Sequence, residues 1–338
     1  MNFKRCNSDT CVYVKQSGHN ICIIALYVDD MLLACSSQLE KVKFIDSLNQ
    51  YVEAVDRGPI SFYLGMEIER STERGDIVIH QRRYTEEVLQ RWGMAECKPV
   101  GTPWADGTVL QKCDRQCEGL DIKSYQSLIG ALMYLAVISR PDIAHLSQFN
   151  SHPHKEHMQA AKYVLRYLKK HPVGKLKFSN NQENFVCFTD ADWGCDSCDR
   201  KSFTGYVMFV AGGPVAWESR KQSVVALSTM EAEYIALCQG TKEVISHRGL
   251  LSEMGFVEYI SKPTTIFCDN QSAQFLVKNP TVQRKSKHID IRYHFIREKY
   301  ENREIEVEYI STTENAADIL TKALTKGKHS HACSLLRI

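Results

Sequence analysis

From residue 184 onward the apolar pattern runs in an order that restricts the fold: strands at 185–189, 205–210 and 215–218, a long helix at 228–254, a strand at 264–268, helices, a strand at 304–310 and a closing helix. Three strands in succession point to an antiparallel meander, and strands that alternate with helices enter a sheet by crossovers. The expectation for 184–326 is therefore α/β, a mixed five-stranded sheet with helices on its faces, followed by a tail at 327–338.

The front of the chain reads differently. Residues 20–33 form two apolar runs around Tyr27-Val28-Asp29-Asp30, which sets two adjacent carboxylates at a hairpin turn. Helical spacing at 39–51, strands at 62–68 and 76–79 and a short amphipathic helix at 84–92 make 1–96 an α+β unit. Between 97 and 120 Pro, Gly, Asp and Lys lack periodicity and mark a linker. Helices are predicted at 125–138, stopped by Ser139-Arg140-Pro141, and at 157–169, stopped by His171-Pro172, so 97–183 is expected to be mostly helical.

A length of 338 residues suits two or three such units. With 43% hydrophobic and 24% charged residues the chain can fill its cores, and a net charge of +2 leaves any nucleic-acid surface to local clusters. No apolar run approaches the roughly 18 residues of a membrane span, and the first eleven residues are polar rather than signal-like. Thirteen cysteines, an odd count set in apolar stretches, fit a reducing compartment. An unsecreted protein of the cytoplasm or nucleus is expected, with no membrane partner. Cys195 with Cys198, and Cys113 with Cys117, have zinc-like spacing but no partner knuckle, so zinc is set aside. His152, His154 and His157 read as a solvated loop.

Four acids fall at element boundaries of the last third: Asp190 ending the first strand, Glu231 in the first helical turn, Asp269 ending the fourth strand and Asp318 opening the final helix. Taken singly, each has an ordinary reading as a turn residue, a cap or a solvated charge. Taken together they suit hydrolysis at phosphate by two divalent ions about 4 Å apart. Magnesium takes hard oxygen ligands and keeps several waters, so a few carboxylates and a substrate phosphate complete its shell.

The residues around these acids carry a resemblance. Phe188-Thr189-Asp190-Ala191-Asp192-Trp193, Thr204-Gly205-Tyr206, Ala226-Leu227-Ser228-Thr229, Glu231-Ala232-Glu233-Tyr234, Cys268-Asp269-Asn270-Gln271-Ser272-Ala273, Lys287-His288-Ile289-Asp290 and Ala317-Asp318-Ile319-Leu320-Thr321-Lys322 are similar to the RNase H domain of copia-type retrotransposon Pol polyproteins. The resemblance implies an RNase H-like sheet at 184–326 that cuts the RNA strand of an RNA–DNA hybrid with two Mg²⁺ or Mn²⁺ ions. Asp190, Glu231, Asp269 and Asp318 would be both catalytic and metal-holding, with Asp192 and Glu233 ranked lower. Asn270 and Gln271 match positions that read the minor groove, where the 2′-hydroxyl marks RNA. Ser228, Thr229 and the basic stretch Arg284, Lys285, Lys287, His288 and Arg292 complete the implied nucleic-acid contacts; that stretch continues to Arg297, Lys299 and Arg303, with Tyr293, Phe295 and Tyr300 expected to pack inward. The mobile His that many cellular RNases H carry before the last helix is missing from 311–315.

Tyr27-Val28-Asp29-Asp30 in turn resembles the metal-binding hairpin of a reverse-transcriptase palm, as do Phe3, Cys11-Val12-Tyr13 and 62–68. This implies a palm remnant at 1–96, a thumb-like or connecting region at 97–183 and, as a possible partner, the rest of a longer polyprotein. In that family a further carboxylate comes from an upstream segment, so Asp29 and Asp30 are expected to be a vestigial metal site and polymerase activity is expected to be absent from this chain alone. Finally, Arg140-Pro141-Asp142-Ile143 is followed too soon by Leu146-Ser147-Gln148-Phe149, as though part of a helix were deleted, which would rotate its apolar stripe. A silent nucleic-acid-binding relic and a same-fold nuclease for DNA ends stand as alternatives to an active hybrid ribonuclease.

Overall fold

Strands β1 (Lys4–Arg5), β2 (Val12–Ser17), β3 (Asn20–Tyr27) and β4 (Asp30–Cys35) pair consecutively and antiparallel in the computed structural model, with α1 (Gln38–Leu48) after them. The model describes residues 1–71, 73, 75–105, 121–150, 154–179, 185–196, 199–279 and 287–338, with backbone alone at 147–150 and 287–290. Strict alternation sends Val12, Val14, Cys22 and Ile24 to the covered side of this first sheet. Residues 242–263 belong to the same compact unit as Met1–Ile60. Leu250 and Met254 pack on Cys6, Val12 and Val14, and Glu253 accepts hydrogen bonds from the backbone N–H groups of Asn7 and Ser8 and from the Ser8 hydroxyl.

The second unit comprises 61–241 and 264–338. It begins with β5 (Phe62–Tyr63), β6 (Met66–Arg70), β7 (Ile77–His80) and α2 (Arg82–Arg91), continues through α3 (Ile122–Ile138) and α4 (Lys155–Lys170), and adds β8 (Leu176–Phe178) to the edge of β7. The two helices stand where the sequence puts them. Asp121 starts α3 by accepting from the N–H groups of Lys123 and Ser124. At α4 the expected solvated histidines do other work: the His154 N–H donates to His157 Nδ1 at 3.2 Å across the first turn and His157 is buried, while His152 lies outside the described residues.

After β8 come β9 (Val186–Asp192), β10 (Phe203–Val210), β11 (Gly213–Lys221), α5 (Thr229–Glu253), β12 (Thr264–Cys268), α6 (Gln271–Lys278), α7 (Lys287–Glu301), β13 (Ile305–Tyr309), α8 (Asp318–Thr321) and α9 (Lys326–Leu336). The sheet order is β11-β10-β9-β12-β13, antiparallel through the first three and parallel from β9 to β12 to β13. This is the expected mixed five-stranded sheet of an RNase H-like fold. Its third strand is longer than predicted and reaches back to Gly213, which lies against the Lys177 carbonyl where no Cβ fits; its pairing with β10 shifts by one residue between Met208 and Phe209.

One apolar core joins the connecting helices to this sheet. Leu128, Leu132 and Leu135 of α3, Leu165 and Leu168 of α4, Val207 and Phe209 of β10, Leu320 of α8 and Leu336 of α9 belong to it. Residues 327–338, expected as a tail, are thus mostly helix and contribute to the core. The short spacing after Arg140 is absorbed by a 3₁₀ segment, Pro141–Asn150, whose three residues per turn put Ile143 and Leu146 on one face; both are fully buried. Arg140 donates from Nε and Nη2 to Asp142, at 2.9 and 2.7 Å, and from Nη1 to the His171 carbonyl, while the Tyr167 hydroxyl donates to Asp142. Among the described residues no helix is long and apolar enough to cross a membrane.

Candidate active site

Close packing against β9 and β10 gathers the acids. Asp190 on β9 pairs across from Gly205 on β10, and a Cβ at Gly205 would stand 2.8 Å from Leu320 Cβ and Thr321 Cγ2. Glycine there lets α8 sit directly on the sheet. Asn315 fixes the entry to α8, donating to the Thr189 carbonyl at 2.9 Å and accepting from the Ala317 N–H at 3.1 Å. As a result Thr321 donates its hydroxyl to Asp190, and Lys322 Nζ bridges Asp190 Oδ1 at 3.2 Å and Asp318 Oδ1 at 2.5 Å.

Asp269 arrives by strand pairing. Phe188 on β9 is opposite Phe267 on the parallel β12, so two residues further on Asp190, still within β9, and Asp269, just past the end of β12, lie on neighbouring strands, which run about 4.8 Å apart. The Thr312 hydroxyl holds Asp269 Oδ2 at 2.7 Å.

Of the two acids at the start of α5, Glu233 is brought to Asp269 and Glu231 is turned elsewhere. Gly240 of α5, where a Cβ would meet Thr189 Cγ2 at 2.6 Å, marks the stripe of the helix that lies against β9. Glu233 is seven residues, two turns, before it, and Ala236 and Leu237 between them are fully buried. Glu231 lies about 200° away around the axis from Glu233. It caps its own helix, accepting from the Leu227 N–H at 2.9 Å while its own N–H donates to Ser228 Oγ at 3.2 Å. Glu233, Cys268 and Asp269 each present a ligand atom within 4.8 Å of the other two, and Glu233 Oε2 is buried without a hydrogen-bond partner.

Electrostatics tie the two clusters into one site. Burial, opposed by the Lys322 ammonium and reinforced by Asp318, brings the Asp190 carboxyl up to about 6. Burial, with the charges of Asp190 and Asp269, pushes Glu233 up to about 10. For Lys322 burial works against the charge, but Asp190 and Asp318 outweigh it and hold the ammonium above its ordinary value. At neutral pH burial therefore favours the protonated form of Glu233, while the Lys322 ammonium sits between Asp190 and Asp318.

The expected nucleic-acid contacts divide. Asn270 caps α6, its Oδ1 accepting from the Ala273 N–H at 2.9 Å, and Gln271 beside it is exposed. Ser228 and Thr229 open α5. Arg284 and Lys285 lie outside the described residues, and Lys287 and His288 are described by backbone alone in α7. Arg292 is partly buried. Arg297 is committed to the end of α6, donating to the Leu276 and Asn279 carbonyls, and Lys299 pairs with Glu298 and Glu304. Tyr293 packs inward against Tyr234, with ring centroids 4.1 Å apart.

In the first unit Tyr27 pairs with Asp30 across a two-residue turn, and Val28 is held at φ 53°, a left-handed conformation that costs a β-branched residue energy. Val28 is 88% exposed, as Asp29 and Asp30 are also exposed. Among the described residues no third His, Cys, Asp or Glu gathers with the two aspartates.

Residues 1–106 match the family described as reverse transcriptase (RNA-dependent DNA polymerase). A reverse-transcriptase segment followed by an RNase H-like sheet defines the class, the Pol region of a retroelement. The retrovirus-related Pol polyprotein from transposon TNT 1-94 of Nicotiana tabacum is 40% identical over 331 residues, 95% of this chain and 25% of that one. A transposon Ty5-1 protein of Saccharomyces cerevisiae is 30% identical over 250 residues, 72% of this chain and 80% of that one. The chain belongs to the copia-type retrotransposon Pol family, and it spans about a quarter of the length of the tobacco polyprotein. A solved structure described as LC11-RNase H1 in complex with RNA/DNA hybrid is 15% identical, covers 41% of this chain and 94% of that one, and superposes with a TM-score of 0.31.

Proposed function

We propose that the second unit is a hybrid ribonuclease that hydrolyses the RNA strand of an RNA–DNA duplex, with Asp190, Glu233, Asp269 and Asp318 as its acids. The observation that carries the reading is the placement of Glu233, a buried carboxyl with an unpartnered oxygen, beside Asp269 and within the field of Asp190. A buried acid in that state costs stability unless a cation reaches it, so the donor set fits hard divalent ions. These four residues would hold two Mg²⁺ or Mn²⁺ ions, which when bound supply an activated water and stabilise the leaving oxygen. Asp190, linked through Lys322 to Asp318 and through its charge to Glu233, would be among the residues that hold them.

The chain's own groups prepare that chemistry. Lys322 offsets the repulsion of Asp190 and Asp318, and Thr321 and Thr312 fix the orientation of Asp190 and Asp269. Gln271 and the side-chain amide nitrogen of Asn270 are the groups suited to the minor groove, with Ser228 and Thr229 at the opening of α5. Arg284, Lys285, Lys287, His288 and Arg292 are assigned to phosphates. We further propose that this chain alone transfers no nucleotide, because among the described residues no third acidic or metal-binding side chain gathers with the two exposed aspartates to assemble a two-ion site.

The test is cleavage of labelled RNA by the purified chain in Mg²⁺, with the RNA free, paired to RNA or paired to DNA. Cutting only in the hybrid supports the proposal. Binding without cutting identifies a silent relic, and release of end nucleotides from DNA identifies a different nuclease; either outcome overturns it.

A further inference from the structure

The sulfur of Cys268 stands among the acids, where magnesium has no use for it. Mg²⁺ takes oxygen ligands, whereas Zn²⁺ and its thiophilic relatives are held by thiolate together with carboxylate. From the strand end Cys268 brings Sγ within 4.8 Å of a carboxylate oxygen of Glu233 and of Asp269. A tetrahedral zinc with ligands at about 2.0–2.3 Å needs its donors about 3.4–3.8 Å apart, so contraction by an ångström or so through side-chain rotation completes the set. A buried cysteine is ordinarily a small apolar filler. Here a second observation points to a ligand: Glu233, only 6% exposed, leaves Oε2 without any hydrogen-bond partner in the same pocket. Asp269, partly exposed, gives the ion its way in and leaves room for a water as fourth ligand.

We propose that Cys268, Glu233 and Asp269 form a site for a thiophilic divalent cation of the zinc class, with the Cys268 thiolate as a direct ligand. The inference shares with the proposed function the assumption that Glu233 and Asp269 hold cations, but it does not require hydrolysis. Because the site draws on two of the acids assigned to magnesium, zinc bound there excludes the hard ions and acts as an inhibitor of the proposed nuclease.

The test is a titration of the full chain, kept reduced, with Co²⁺ as a coloured substitute for zinc. The expected result is a sulfur-to-cobalt charge-transfer band in the near ultraviolet that Zn²⁺ abolishes. The band should be missing from Cys268→Ser and Cys268→Ala, with Zn²⁺ affinity lowered by at least about 10–100-fold, the cost that even outer-shell losses impose. Glu233→Gln and Asp269→Asn, which keep the thiol, should lose the same band. A wild-type chain that shows no such band overturns the inference, as does a band that survives in both acid variants and so belongs to another cysteine. Mg²⁺-dependent cleavage is measured on the same preparations. Cleavage without the band rejects the sulfur site alone, and the band without cleavage rejects the nuclease alone.

Discussion

Glu233→Gln should stabilise the metal-free protein and by an amount that depends on pH. In the fold the carboxyl titrates at about 10, against 4.5 for an ordinary glutamate. Below pH 4.5 both folded and unfolded chains carry the proton and the group is neutral in its effect. Between 4.5 and about 10 the unfolded chain ionises while the folded one does not, so stability falls by about 1.36 kcal/mol for each pH unit. At pH 7 the accumulated cost is about 3 kcal/mol, set by the unfolded value and unaffected by whether the folded value is 9 or 10. Glutamine has the same shape, cannot ionise and leaves the same buried atom unpaired, so it removes this cost and little else. Urea unfolding in EDTA at pH 5 and pH 8 should show the variant's advantage widening by about 4 kcal/mol, while cleavage in Mg²⁺ is lost. An advantage that does not change with pH, or a variant less stable than wild type at pH 8, would refute the burial and charge argument for this residue.

Other expectations bear on neighbouring parts of the molecule. Glu231→Gln should cost about 1 kcal/mol or less, as a weakened cap, and leave cleavage within a few fold, which separates it from Glu233 in the same assay. Asp269→Asn should abolish cleavage yet retain hybrid binding in a gel-shift titration. Asp142→Ala leaves Arg140 buried without its partner and should cost about 3–5 kcal/mol, while Arg140→Met with Asp142→Leu recovers much of the loss in the same unfolding experiment. Hybrid affinity should fall linearly on a log–log plot against salt, and substituting Lys287 or Arg292 should flatten the slope by about 1 each.

The fold was legible because it rests on periodicity. Strand and helix order from 184 onward, the α3 and α4 helices and the hairpin at Asp29-Asp30 all follow from apolar spacing and stop residues. Asp269 and Asp318 sit at element ends, which sequence also reveals, whereas Asp190, read as ending its strand, lies two residues inside the end of β9. Glu233 was harder, since Glu231 and Glu233 share one helical turn and either can start it. The signal was present in the seven-residue step from Glu233 to Gly240, but its meaning depends on knowing that Gly240 is where the helix touches β9. Likewise the division of the chain follows contacts that no local pattern encodes. The sequence marked boundaries at 96 and 183, whereas the compact units separate at residue 60, with 242–263 grouped with the front of the chain. The last helix looked like a tail because its few apolar residues, among them the buried Ala332 and Leu336, matter only through the core they enter.

That shared core has an implication for how such an element decays. The acids can all survive in a genomic copy while the proposed activity is already lost, because a premature stop that trims only the final turn removes Leu336 from the buried cluster that also holds Leu320 of α8, the helix that carries Asp318. Counting intact catalytic letters would then overstate how many copies still make a working protein, and the fate of the last dozen codons would be the better gauge.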